Sequence, residues 1–488
     1  MLQLDAHLFR EGPTLRPMVY TALAVVSSLS ALAAYGDESA AHQALAFDVF
    51  KELIETNTTH STGDTALAAQ KMADRLLAAG YPKEDVHVLV NAPRKGNLVA
   101  RLRSPEPVRG PIVLLAHLDV VEANPEDWSI DPFTLLERDG YYYGRGTLDD
   151  KDEAAIYVAN MIRMKREGYV PNRDIILALT ADEEGGPDNG VKFLLAHHRD
   201  LVDADFVLNE GGGGVMLDGV RVSNNVQAAE KVYQSYRLEI TDSGGHSSRP
   251  KAFNPIYELA GALTRIAAYE FPVSLNETTR AFFMESMPGW PPAQTQAAKG
   301  LLMEPPLQTS IAYFASTPAF NALIRTTCVA TQLEAGHAEN ALPQRADATI
   351  NCRILPGVPP GTVKQKLIEL IANDKIAVTE VEPATPSDPS PLTREVMDPI
   401  RDITSAMWPG VHVVPAMSTG ATDGLFFRNA GIPVYGVSGV FSDANDSRTH
   451  GRDERILKQS FYDGLEFLDR LVRTLSSPAD AMPAGPKL

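Results

Sequence analysis

Three unbroken apolar runs, each leading into acidic or histidine residues, constrain this chain more than any other feature. They are Pro111 to Val121 (PIVLLAHLDVV), Asp174 to Ala181 (DIILALTA) and Asp205 to Asn209. A strand wetted on one face alternates apolar and polar residues, so a continuous run marks a strand buried on both faces. Helical spacing flanks and separates the runs, over Thr65 to Ala79, which stops at Gly80, and over Glu153 to Arg166. The shorter segments Val86 to Val90 and Asn97 to Leu102 also read as strands. Strands alternating with helices predict a largely parallel sheet covered on both sides. In such a sheet ligands collect beyond the carboxyl ends of the strands.

The pattern changes near Glu230. Val232 to Thr241 alternates, as a half-exposed strand does, and a helix (Pro255 to Ala268) follows. Strands are expected at Ile324 to Leu333 and Ala346 to Ile354, then a helix at Gly361 to Ala372. After the Pro-rich stretch Pro383 to Pro391, the buried-strand pattern returns at Ile432 to Val437, and an amphipathic helix, Leu457 to Leu475, closes the fold. The expected class is α/β. A main domain (35–229 and 383–476) carries a smaller α/β domain (230–382) inserted in it, with a disordered tail at 477–488. With 488 residues, 44% of them hydrophobic, the chain can bury more than one core.

The stretch Ala281 to Pro306 lengthens the inserted domain. Its Phe, Trp and Met residues are expected to pack on that domain's sheet, the alternative being an apolar pocket for an acyl or side chain. Cys328 and Cys352 lie in strand-like segments flanking one connection. They form a cross-strand disulfide or two small buried hydrophobes.

Arg10 and Arg16 precede an apolar run, Met18 to Ala33, which ends in Ala31-Leu32-Ala33. This reads as a secretory signal peptide over 1–34, implying a periplasmic or secreted protein, with an uncleaved anchor as the alternative. The run is short for a membrane span, so no stable span is expected after its removal. The net charge of -18 and the lack of a long basic stretch argue against nucleic acid as a partner.

Five short motifs carry the chemistry. His117 and Asp119 lie two apart at the end of the first apolar run; the imidazole suits a metal, and Asp119 can hold the ring. For such a pair alone, a structural histidine is the better reading. In GRGTLDDK (Gly144 to Lys151), Asp149 is the carboxylate placed on metal, while Asp150 or Asp152 can cap the following helix. TADEEGG (Thr180 to Gly186) puts Asp182, Glu183 and Glu184 side by side. A cation relieves that repulsion, and adjacent glutamates can divide into a ligand and a base. A solvated acidic loop is the plain alternative. LNEGGGG supplies Glu210, and SRTHGRDE supplies His450. Together these nitrogen and oxygen donors suit zinc with open positions for water. Ser418 to Gly424 (STGATDG) precedes a short helix; Thr422 and Asp423 cap it, or its amides receive a carboxylate. His197 and His198 end a helix and are expected to cap it.

The order HLD, GRGTLDDK, DEEGG, NEGG, GGHSS, NALP and THG resembles the di-zinc metallopeptidase family of aminoacylase, glutamate carboxypeptidase and succinyl-diaminopimelate desuccinylase. The likeness runs from about 45 to 475. Arg325 to Gly357 looks most like the branch of carboxypeptidase S and secreted N-acyl-amino-acid hydrolases.

The resemblance implies a zinc-exopeptidase-like catalytic domain with a ferredoxin-like lid that can also dimerise. It implies two Zn2+ ions, or Co2+ or Mn2+ in their place, bridged by Asp149. His117 and Glu210 complete one site, and Glu184 and His450 the other. Glu183 is then the general base, and Asp119 orients His117. His246 reaches the substrate carbonyl, in its own subunit or across a homodimer. Asn340 and Arg353 contact the substrate backbone or carboxylate. The implied reaction is hydrolysis of a peptide or N-acyl amino acid beside a free carboxylate. The rival from another class is a binding protein of the same fold without turnover.

Overall fold

The structure, a computed structural model, describes residues 38–477. The expected signal peptide, and the expected tail from 478 onward, lie outside the described residues.

The three apolar runs become the strands Ile112–His117, Ile175–Thr180 and Phe206–Asn209, every residue of them buried. Side chains on a strand point alternately to opposite faces, and these strands divide accordingly. Leu114, Leu177 and Leu208 join the core on one face, and Val113, Leu115, Ile176, Ala178 and Val207 join the core on the other. With no wet face, every position before the last residue of each strand is apolar.

Ile112–His117 pairs in parallel with Ile175–Thr180 on one side and Phe206–Asn209 on the other. Val434–Gly436 extends the parallel run beyond Phe206–Asn209. The chain therefore leaves Ile112–His117 first to one side and then to the other. The carboxyl end of that strand is a switch point, where an open crevice forms. Antiparallel pairs Val86–Ala92 with Lys95–Leu102 and Gly214–Leu217 with Val220–Glu230, together with His412–Ser418 and Phe441–Asp443, widen the sheet to ten strands.

Between Glu230 and Val232 the chain passes from this sheet into a second, four-stranded one. In chain order its strands are Val232–Thr241, Thr327–Ala335, Arg345–Ile354 and Ala377–Glu380. The spatial order is second, third, first, fourth, and every pairing is antiparallel. Helices Pro255–Ala267 and Pro360–Ile371 contribute Leu259, Ala262, Ile266, Val363, Leu367 and Ile371 to a core on one face. This strand-helix-strand, strand-helix-strand order is ferredoxin-like. The outgoing and returning segments are hydrogen-bonded to each other, from Val381 N to Ser235 O (2.9 Å) and from Ser390 N to Ala228 O (2.7 Å). At the crossing, Lys231 is almost wholly buried. Its ammonium donates to Ala322 O, Arg325 O and Thr327 Oγ1 at 2.9–3.1 Å.

The inserted stretch departs from expectation. It folds into the helices Glu277–Ser286, Pro292–Leu301, Gln308–Ala315 and Pro318–Ile324. Phe283, Trp290, Phe314 and Phe320 pack on one another, with Phe283 and Phe314 ring centroids 4.9 Å apart. These aromatic rings are satisfied within their own cluster. They form a core separate from the one on the four-stranded sheet. The helix ending at Ile324 also delays the next strand to Thr327.

Cys328 and Cys352 face each other in register on adjacent strands, with Cα atoms 4.1 Å apart, and form a disulfide. They are 24 residues apart in sequence, and closing a loop of that size stabilises by about 3 kcal/mol. The double variant Cys328→Ser/Cys352→Ser is expected to lose about that much, read as an earlier urea midpoint at unchanged slope. Among the described residues, no helix is long and apolar enough to cross a membrane.

Candidate metal centre

His117 is the last residue of its strand, so it stands at the switch point. Its Nδ1 lies 2.9 Å from the carbonyl oxygen of Asp119. A carbonyl can only accept, so Nδ1 donates a proton to it, and Nε2 is the ring atom that faces the site. That Nε2 lies 3.0 Å from Asp149 Oδ1. The other oxygen of Asp149, Oδ2, is 3.0 Å from His450 Nε2, which is also 3.0 Å from Glu184 Oε1. One carboxylate thus spans two imidazoles that come from residues 117 and 450. Candidate ligand atoms of His117, Asp149 and Glu184 lie within 4.8 Å of one another, as do those of His117, Glu183 and Glu210.

Asp119 reaches His117 differently from expectation. The backbone carbonyl takes the ring proton, while the carboxylate lies 3.8 Å from the ring. Its two oxygens instead accept Glu183 N (3.1 Å) and Glu184 N (3.0 Å). One residue therefore fixes both the imidazole and the turn that carries the paired glutamates. That turn starts at Asp182, which has φ 58° and whose buried carboxylate pairs with Lys95 at 2.5 Å.

The electrostatics are those of crowded acids. Burial, then the charge of Glu210, pushes Glu183 well above the usual carboxylate range. Glu210 is raised in the same way, by burial and then Asp149. Burial opposes charging of His117, but its hydrogen bond to Asp149 and the charges of Glu210 and Glu183 outweigh it and raise the ring. Hydrogen bonds to Asp149 and Glu184 lift His450 to about 10. Against burial, the two histidines hold Asp149 well below its ordinary value. Glu183 and Glu210 have no ion-pair partner among the described residues. Each of these groups can donate to a metal, and a cation placed among them would relieve the crowding that raises the acids. The donor set fits a pair of divalent ions.

Asp150 does not cap the helix it precedes; its carboxylate accepts His117 N at 3.1 Å. Asp423 does not cap either. Its carboxylate takes Asn189 Nδ2 (2.6 Å) and Thr180 Oγ1 (3.3 Å) beneath the sheet ends, and Thr422 Oγ1 accepts Gly424 N instead. Sequence reasoning did not single out Asn189, Lys95, Arg145 or Glu454 as supports of the site. Only Arg145 carried a signal, as the lone basic residue between two glycines of a ligand motif.

The inserted segment holds the other candidates in two groups. His246 is exposed in a two-residue strand paired with Ala341–Leu342, and Ser247 N bonds to Asn340 O at 3.0 Å, so His246 and Asn340 lie together. Ser248 N donates to His246 Nδ1 at 3.1 Å, which leaves the ring proton on Nε2. Neither His246 nor Asn340 is within hydrogen-bonding distance of the ligand cluster. Arg353 belongs to the crossing region: its guanidinium stacks 4.6 Å from the Tyr233 ring centroid and reaches Thr419 O at 3.5 Å. It has no carboxylate partner among the described residues.

A profile of peptidase family M20/M25/M40 matches residues 113–474. Human N-fatty-acyl-amino acid synthase/hydrolase PM20D1 is 28% identical over 386 residues, covering 76% of this chain and 75% of that protein. Probable carboxypeptidase S-like 2 of Dictyostelium discoideum is 26% identical over 404 residues, covering 80% and 77%. Among solved structures, an M20 family metallo-carboxypeptidase from Sulfolobus solfataricus aligns with a TM-score of 0.66 at 18% identity, covering 88% of this chain and 99% of that one.

Proposed function

The chain belongs to peptidase family M20/M25/M40, a family of hydrolases, and on that footing we propose that it uses two divalent ions to cleave an amide beside a free carboxylate. The substrates are N-acyl amino acids or short peptides, in line with the names of the relatives. The observation that carries the reading is Asp149, with each oxygen 3.0 Å from a different histidine, while Glu184 stands beside it and Glu183 and Glu210 lie against His117.

Asp149 would bridge the ions, His117 and Glu210 would complete one site, and Glu184 and His450 the other. Zinc is the first choice for this nitrogen and oxygen set. Bound ions supply Lewis acidity toward the amide carbonyl and make water easier to deprotonate. The remaining steps belong to side chains. Glu183 takes a proton from the attacking water and returns it to the leaving amine. Its partly buried, acid-crowded position supports that role, because a carboxylate with raised proton affinity is the better base. Asp119 holds Glu183 in place through the backbone. His246 donates from Nε2 to the developing oxyanion, and Asn340 beside it contacts the substrate backbone. Arg353, stacked and without an acidic partner, receives the substrate carboxylate.

The test is a hydrolysis screen of free dipeptides, blocked dipeptides and N-acyl amino acids of short and long chain, before and after chelation. Chelator-sensitive cleavage of carboxylate-bearing substrates is expected; absence of any such cleavage overturns the proposal. Arg353→Ala should lower kcat/KM for these substrates about 10–100-fold, mainly through KM. It should leave carboxyl-amidated analogues unaffected. An equal loss on both substrate types would remove Arg353 from carboxylate binding.

A further inference from the structure

We propose that Arg145 and Glu454 are positioning residues for His450, and that this buried pair sets how tightly the ion shared by Asp149, Glu184 and His450 is held. The inference rests on the two-ion reading and extends it to residues that touch no ion.

His450 is the exposed member of the cluster, with its side chain 53% accessible, and it sits on a loop rather than on a strand end. Its backbone has φ 62°. A non-glycine residue holds that conformation only where its surroundings over-determine it. Solvent cannot supply such a constraint. Arg145 can, since it is 2% exposed and Glu454 is 0% exposed.

Arg145 Nη1 lies 2.6 Å from Glu454 Oε2. The other arm of the guanidinium donates to Gly451 O at 2.9 Å and His450 O at 3.5 Å. Glu454 in turn accepts Gly146 N (3.2 Å) and Leu148 N (2.8 Å), and its carbonyl takes Gly144 N (3.1 Å). Leu148 directly precedes Asp149. One ion pair therefore joins the two segments whose tips are Asp149 and His450. Strand Arg455–Leu457 continues the joint by pairing with Tyr141–Tyr143. Trp128 closes one side, 5.0 Å from the guanidinium.

A buried ion pair seldom repays its own desolvation, so its presence is weak evidence for a stabilising role. What this pair does supply is geometry. The planar fork fixes two carbonyls and one carboxylate in a rigid plane, a geometry that a freely rotating ammonium does not impose. His117, by contrast, is set by its strand, by Asp119 and by Asp150. The site completed by His117 and Glu210 meets the pair only through Asp149, whose Oδ1 is also fixed by His117. The two ions should therefore respond differently to its removal.

The experiment titrates full-length, chelator-stripped protein with buffered zinc and counts ions per chain. Wild type, Arg145→Ala and Glu454→Gln are compared, and melting of the chelated chains serves as the fold control. Wild type is expected to take up two ions. Each variant should keep one at wild-type affinity and bind the other about 10–100-fold more weakly, with the second ion regained at higher free zinc. Two ions at wild-type affinity, or equal weakening of both, overturns the proposal. If Arg145→Ala yields no folded chain, Glu454→Gln decides by the same readout; failure of both to fold makes the pair a folding element and also overturns it. Fewer than two ions in wild type would instead sink the two-ion centre on which the inference stands.

Discussion

Glu183→Gln is expected to lower kcat by about 10²–10⁴-fold, the usual contribution of a general base, while ion content stays at the wild-type level. The substitution keeps the size of the side chain and removes only its ability to take a proton. Glu183 N would still donate to Asp119, so the turn carrying Glu184 keeps its anchor. Burial and the neighbouring Glu210 already favour the protonated acid, so a neutral amide at this position is not foreign to the cluster. KM should change little, because the group contributes to the transition state rather than to ground-state binding. Stopped or single-turnover hydrolysis, paired with elemental analysis of the same sample, reads both quantities. Full activity with ions present would take the base role away from Glu183. Loss of ions along with activity would make it a ligand, the role its place beside His117 and Glu210 also permits.

Asp149→Ala should remove both ions at once. Every other ligand serves one ion in the proposed centre, whereas the oxygens of Asp149 face His117 and His450 separately. Without the bridge each site drops to two protein ligands and the two sites lose their coupling. Loss of metal polarisation forfeits several kcal/mol of transition-state stabilisation, about 10³-fold or more in rate. A second readout is thermal. Saturating zinc at a thousandfold above Kd adds about 4 kcal/mol of stability to the wild type, so the zinc-dependent rise in Tm should vanish in the variant. A variant that still melts higher with zinc would show that the bridge is dispensable.

What could be read from the chain alone follows from how far apart the interacting residues lie. Strands Ile112–His117 and Ile175–Thr180 were legible because burial on both faces leaves an unbroken apolar signature. The ligand motifs were legible because glycine-rich turns and adjacent acids are dense local signals. Strand Val220–Glu230 was not, since it buries the polar residues Asn224, Gln227 and Glu230, and Asn224 and Glu230 bond to residues far off in sequence, Thr404 and Thr422. Helix Arg394–Met407 contains Pro399 and strand His412–Ser418 contains Pro415, so both carry a residue that normally argues against them. The carboxylate of Asp150 looked like a helix cap because capping is the local use of that residue type. Its actual partner, the amide of His117, is set by tertiary structure.

The insertion of one sheet into another has a consequence for how the polypeptide comes together. Val220–Glu230 needs Val434–Gly436 and His412–Ser418 as neighbours, and both follow the return crossing near Ser390. Were the intervening segment a random coil, joining its ends would cost about 4–5 kcal/mol in chain entropy for a loop of roughly 160 residues. Once the smaller sheet has formed and its ends are hydrogen-bonded side by side, that penalty has already been met. The later half of the large sheet then docks as if it were joined by a short hairpin. The inserted unit thus doubles as an internal chaperone for the domain that encloses it, and a lesion in its core should surface as slow or failed maturation of the catalytic half.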